Sequence, residues 1–141
     1  MTAMEPLGRL FNVIPIASGV GISVKGCVGV TFVTTGNDTF TLTCSSVFGS
    51  GYASPGTIIS NIWKTSSTGG TAAWVQDQTL ISTNTVVSGG AIAVAFFVSN
   101  VFLPDNKTYV KLTASGSGLV TAIMSDLVIR RMPSNLAIQS A

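Results

Sequence analysis

Three groups of residues in this chain have types that could do chemistry: a glycine pair, a set of carboxylates and two cysteines. The pair, Gly116 and Gly118, sits in "YVKLTASGSGLVTAIMSDLVIRRMP" at residues 109–133. A Gly-Ser-Gly between a strand and a helix can cradle a phosphate, but a dinucleotide fingerprint needs a third glycine where Thr121 stands. A P-loop needs Lys and Ser or Thr where the chain has Leu119 and Val120. The carboxylates, Glu5, Asp38, Asp77, Asp105 and Asp126, fall in separate segments, with no spacing that suggests a paired-carboxylate site. There is no histidine, so the usual general base and the commonest metal ligand are missing. No serine lies in a GxSxG elbow. Cys27 and Cys44 match neither a zinc set nor a CxxC motif, and read as reduced, buried small hydrophobes, with a cross-strand disulfide as the other possibility. The expectation is a chain that is not an enzyme and uses no cofactor and no metal.

Aromatic residues offer a different chemistry. Trp63 and Trp74 flank an "SSTGG" turn, and Tyr52 lies in the loop before it. Exposed on the rim of a sandwich, the three would suit stacking on a sugar; packed in a core or a subunit interface, they would serve structure alone.

The elements that must position these residues are strands. "DTFTLTCS" alternates Phe40, Leu42 and Cys44 with Thr39, Thr41 and Thr43, the period of a half-buried strand. "CVGVTFVT" puts Val28, Val30 and Phe32 on one face, and the intervening "TGND" is turn chemistry, so residues 27–45 read as a hairpin. "SVFGSGYASPGT" is a loop long enough to cross between sheets. "AIAVAFFVSNVF" is apolar on both faces, as a central strand or one covered by another subunit would be. Val110, Leu112 and Ala114 alternate with Tyr109, Lys111 and Thr113, and residues 119–129 are dense in β-branched side chains. That makes SGSG the tip of a second hairpin. About eight antiparallel strands are expected, as an all-β single-domain sandwich or a jelly-roll-like barrel.

The surface such a fold presents is unusual. Only 9% of the 141 residues are charged, against 46% hydrophobic. A free monomer normally keeps itself soluble with charge, so partners are expected to cover much of this surface. Net charge is +2 and the one basic pair is Arg130-Arg131, too little for a nucleic-acid face. No run is long enough to span a bilayer, and the N-terminus lacks a secretory pattern. Neither nucleic acid nor membrane is therefore expected as a partner, and synthesis in the cytoplasm is. Residues 1–18 and 132–141, apolar and broken by prolines, read as arms on either side of a domain at 19–131. Tucking against their own domain is the alternative to lying along a neighbour.

"GRLFNVIP" near the N-terminus and "YVKLTASGSGLVTAIMSDLVIRRMPSNL" near the C-terminus resemble small virion proteins of tailed bacteriophages, of the kind that decorate capsids. The resemblance implies a decoration (cement) protein on the capsid surface of the virion. Its partners would be the major capsid protein and further copies of itself, a trimer being favoured. Under that implication the contact residues are Arg9, Leu10, Phe11, Ile14, Arg130, Arg131, Leu136 and Ile138. Two other roles stay open: a glycan- or host-surface-binding module using Tyr52, Trp63 and Trp74, and a tail or baseplate structural protein.

Overall fold

The computed structural model describes residues 7, 10–15, 18–56, 59–67, 71–80, 84–104 and 106–127, without the side chains of 60 and 78–80. Among them are ten strands: β1 (Phe11–Ile14), β2 (Gly21–Ser23), β3 (Gly29–Thr35), β4 (Thr39–Ser45), β5 (Ser60–Thr65), β6 (Val75–Leu80), β7 (Thr85–Val87), β8 (Ala93–Ser99), β9 (Tyr109–Ala114) and β10 (Leu119–Ser125). They form a six-stranded sheet, β1-β10-β3-β8-β5-β6, and a four-stranded sheet, β2-β9-β4-β7. All pairings between these strands are antiparallel.

The connectivity is that of a rolled ribbon. β1 pairs with β10, β2 with β9, β3 with β8 and β4 with β7, so β1–β4 run alongside β7–β10 as one long double strand. Rolling that ribbon brings β10 beside β3 and β9 beside β4. Two four-stranded layers result, the jelly-roll arrangement, and the β5–β6 hairpin extends one of them. The result is an open sandwich and not a closed barrel.

The alternation seen in the sequence fills the space between the layers. Val30 and Phe32 of β3, Phe40 and Leu42 of β4, Val94, Phe96 and Val98 of β8, Val110 and Leu112 of β9, and Val120, Ala122 and Met124 of β10 are all buried. Phe32 and Phe96 face each other across one strand pair, ring centroids 5.6 Å apart. Each large apolar side chain buried in this way stabilises the fold by about 1.5–3 kcal/mol. Cys27 and Cys44 are free and buried, as expected of small hydrophobes.

Two expectations fail, in the same way. β3 and β4 are not a hairpin, since β3 belongs to the six-stranded sheet and β4 to the other. β9 and β10 are split likewise, so Gly-Ser-Gly is not a hairpin tip. Both connections are arches that carry the chain from one layer to the other, and among the described strands only the consecutive pair β5 and β6 shares a sheet. Asp38 ties the arches together. Its carboxylate accepts from the Gly118 N–H at 2.5 Å and from the Ser115 hydroxyl at 3.4 Å, while its carbonyl accepts from the Ser88 N–H at 3.1 Å. The arches touch: a Cβ on Gly36, where φ is +104°, would lie 2.9 Å from the Gly118 Cα.

The stretch expected to be an N-terminal arm contributes β1, the edge strand of the larger sheet. Pro15 follows its last residue and suits a short strand with one unpaired edge. The arm expected at 132–141 lies outside the described residues.

Candidate functional site

Each sheet has an outer face, and the two faces differ in chemistry. Because paired residues in an antiparallel sheet point the same way, the register defines the rows of the six-stranded face. One row runs Val13, Ile123, Thr31, Phe97, and the next Thr121, Val33, Ala95, Trp63. A third runs Leu119, Thr35, Ala93, Thr65. None of these residues is charged. Trp63, Phe97 and Leu119 stand well out of the protein, and Trp74 is 45% exposed. Trp74 overhangs a depression of about 260 Å³ lined by Val33, Thr35, Thr65, Ser67, Ala72 and Ala93. The Thr65 hydroxyl holds the rim through the Ser67 and Ala72 carbonyls, each 3.3 Å away. The Lys64–Asp77 ion pair, 3.0 Å, joins β5 to β6 at the far edge.

β1 borders this face, and it places three of the residues expected to meet a partner. Leu10, 58% exposed, turns into the strand and accepts the Asp126 N–H with its carbonyl at 3.0 Å. Phe11 lies half-buried on the outer face, level with Ser125. Ile14 is level with the buried Ala122 and is partly buried, packed against the core. Arg9, Arg130, Arg131, Leu136 and Ile138 lie outside the described residues.

The four-stranded face is lined with hydroxyls. Thr39, Thr41 and Thr43 of β4 stand beside Lys111 and Thr113 of β9, with Thr43 level with Lys111 and Thr41 with Thr113. Together with Tyr52, Ala114 and Ser115 they line an open groove of about 380 Å³. The Lys111 ammonium sits over the Tyr52 ring, 4.1 Å from its centroid, a cation–π contact. Tyr52 is itself fixed, its hydroxyl donating to the Phe48 carbonyl at 2.6 Å and its ring end filling the space a side chain at Gly21 would need. Burial, and then the neighbouring Tyr109, raise the Tyr52 phenol above its ordinary pKa of 10.0.

The three aromatics considered for sugar stacking are therefore divided: Tyr52 lies on the four-stranded side, Trp63 and Trp74 on the six-stranded side. They form no common platform. The hydroxyl-lined groove was not anticipated as a site, although the outward face of each strand in it was readable. No cluster of three or more His, Cys, Asp or Glu able to hold a metal ion occurs among the described residues. Burial drives the Cys27 thiol up to about 11, the Gly29 backbone N–H acting against it, so Cys27 is a poor nucleophile at neutral pH. What this arrangement presents is two outer surfaces of different chemistry, one apolar and one polar. Comparison of the chain with protein-family models, curated proteins and solved structures finds no match.

Proposed function

We propose that the chain is a virion structural protein, a decoration (cement) protein that binds the assembled shell of a tailed phage and has no catalytic role. One observation carries the reading: the uncharged, apolar-rich outer face of the six-stranded sheet, bordered by the β1–β10 pair. That pair joins the two stretches that resemble phage decoration proteins, which are far apart in sequence but adjacent at this edge. Jelly rolls recur in viral capsid and lectin domains, an analogy of fold that does not choose a function.

The mechanism is mass action. A protein that binds the closed shell but not its separated subunits stabilises the closed state, and repetition over symmetry-related sites multiplies a modest affinity. Leu10 and Phe11 with the six-stranded face meet the major capsid protein or another copy of the chain, a trimer being favoured. Arg9, Arg130 and Arg131 would pair with acids on the neighbour, and Leu136 and Ile138 would extend the apolar contact.

The test is to mix the full chain with empty shells, follow co-sedimentation and measure the temperature at which shells break. Wild-type protein should bind and raise that temperature. Phe97→Asp puts a charge at a 39%-exposed position, so it should fold normally and lose binding. Co-sedimentation with tails but not with shells would move the protein to the tail, and a folded Phe97→Asp variant that binds shells like wild type would remove this face from the mechanism.

A further inference from the structure

From the groove on the four-stranded sheet, independently of the shell reading, we infer a binding site for a carboxylate-bearing carbohydrate, of the uronic-acid class. The first argument is the state of the cation. Lys111 has no carboxylate partner among the described residues, whose one ion pair is Lys64–Asp77. Its ammonium is nevertheless held in place over Tyr52, and Tyr52 is held in turn by Phe48. An unpaired but positioned ammonium in a concave site presents donors to an anion at little ordering cost.

The second argument is the lining. The hydroxyls of Thr39, Thr41 and Thr113 make no hydrogen bond among the described residues, and each can donate once and accept twice. They repeat at about 6.6 Å along a strand and about 4.8 Å across strands. Between them lie threonine methyls and Ala114, so the floor alternates polar and apolar contacts. A sugar has the same mixture, hydroxyls that both donate and accept around a C–H surface. An extended peptide fits this floor less well. Its backbone needs a free sheet edge or pockets for alternate side chains, whereas β4 and β9 are both paired on each side.

The third argument is polarity along the groove. Lys111 stands at the Thr43 end. At the Thr39 end the Asp38 carboxylate binds Ser115 and Gly118 and places a negative charge there. A ligand with its acid group at the Lys111 end and neutral hydroxyls toward Ser115 matches both ends; a polyanion with charge along its whole length does not.

The probe is glucuronosyl-xylobiose, a trisaccharide with a single carboxylate at one end, titrated into the isotope-labelled full chain, with backbone amide shifts as the readout. Saturable shifts should appear at Thr41, Thr43, Lys111 and Thr113. Xylotriose, a neutral trisaccharide, should bind about tenfold more weakly, as should glucuronosyl-xylobiose to Lys111→Met, since each pairing lacks one charge-assisted hydrogen bond. Thr41→Val, which keeps shape and loses the hydroxyl, should weaken binding a few-fold with the rest of the spectrum unchanged. The inference is overturned if no saturable shift appears in the groove, if Lys111→Met binds glucuronosyl-xylobiose as wild type does, or if xylotriose binds wild type as tightly as glucuronosyl-xylobiose does. Tighter binding of an acidic peptide at the same amides would also overturn it.

Discussion

Removing the Asp38 carboxylate should cost more stability than its partly exposed position suggests. The side chain, in the β3–β4 arch, is the shared acceptor for two donors of the distant β9–β10 arch, taking the Gly118 N–H at 2.5 Å and the Ser115 hydroxyl at 3.4 Å. In Asp38→Ala the buried Gly118 N–H has lost its acceptor. Stranding such a donor costs about 1–3 kcal/mol, and the lost bond was charge-assisted, at the upper end for hydrogen bonds. The Ser115 contact is longer and exposed, and adds little. The expected loss is about 2–3 kcal/mol, or a fall in Tm of about 6–10 °C for a chain of this length. Asp38→Asn keeps an acceptor for Gly118 and gives up only the charge, so about 1 kcal/mol is expected. Equilibrium urea denaturation with linear extrapolation measures both. A double-mutant cycle with Ser115→Ala should show weak coupling, because that contact is the lesser one. If Asp38→Ala unfolds within about 0.5 kcal/mol of wild type, as an ordinary surface substitution does, Asp38 does not hold the arches together.

Two further outcomes follow from buried groups. Because burial raises the Cys27 thiol from 9.0 to about 11, the folded state holds this proton more tightly than the unfolded chain does. The stability linked to it is complete below pH 9 and is lost as pH rises through 11; urea midpoints should fall across that window, and less steeply in Cys27→Ala, an equal slope in the variant refuting the assignment. Gly21→Ala places a methyl where the Tyr52 hydroxyl lies and 3.2 Å from the Phe48 carbonyl. Tyr52 must move, at a cost of about 1–3 kcal/mol in urea unfolding, and Lys111 loses its aromatic support, so unchanged stability would show that Tyr52 is not fixed as described.

How much of the fold and of the groove is legible in the sequence depends on how far each signal reaches. Period-2 alternation is local, and by itself it places Phe40, Leu42 and Cys44 inward and Thr39, Thr41 and Thr43 outward. It does the same for Val110 and Leu112 against Lys111 and Thr113. Turn chemistry is also local, and there it misleads. "TGND" and "SGSG" show that the chain reverses, but a reversal within a sheet and an arch between sheets use the same glycines and aspartates. The feature that separates them here is Asp38 binding Ser115 and Gly118 across two arches, which no window along the chain can contain. The groove is hidden for the same reason. Thr43 and Lys111 are 68 positions apart, and their neighbourhood exists only once β4 and β9 pair. In a rolled ribbon almost every sequential pair of strands is separated and almost every adjacent pair is distant in sequence. The long-range matching of inward faces therefore has to select the partner strands. Short strands such as β2 and β7, three residues each, carry too little alternation to announce themselves. They are fixed by the longer neighbours they pair with, β9 and β4, and those same two strands form the floor of the groove.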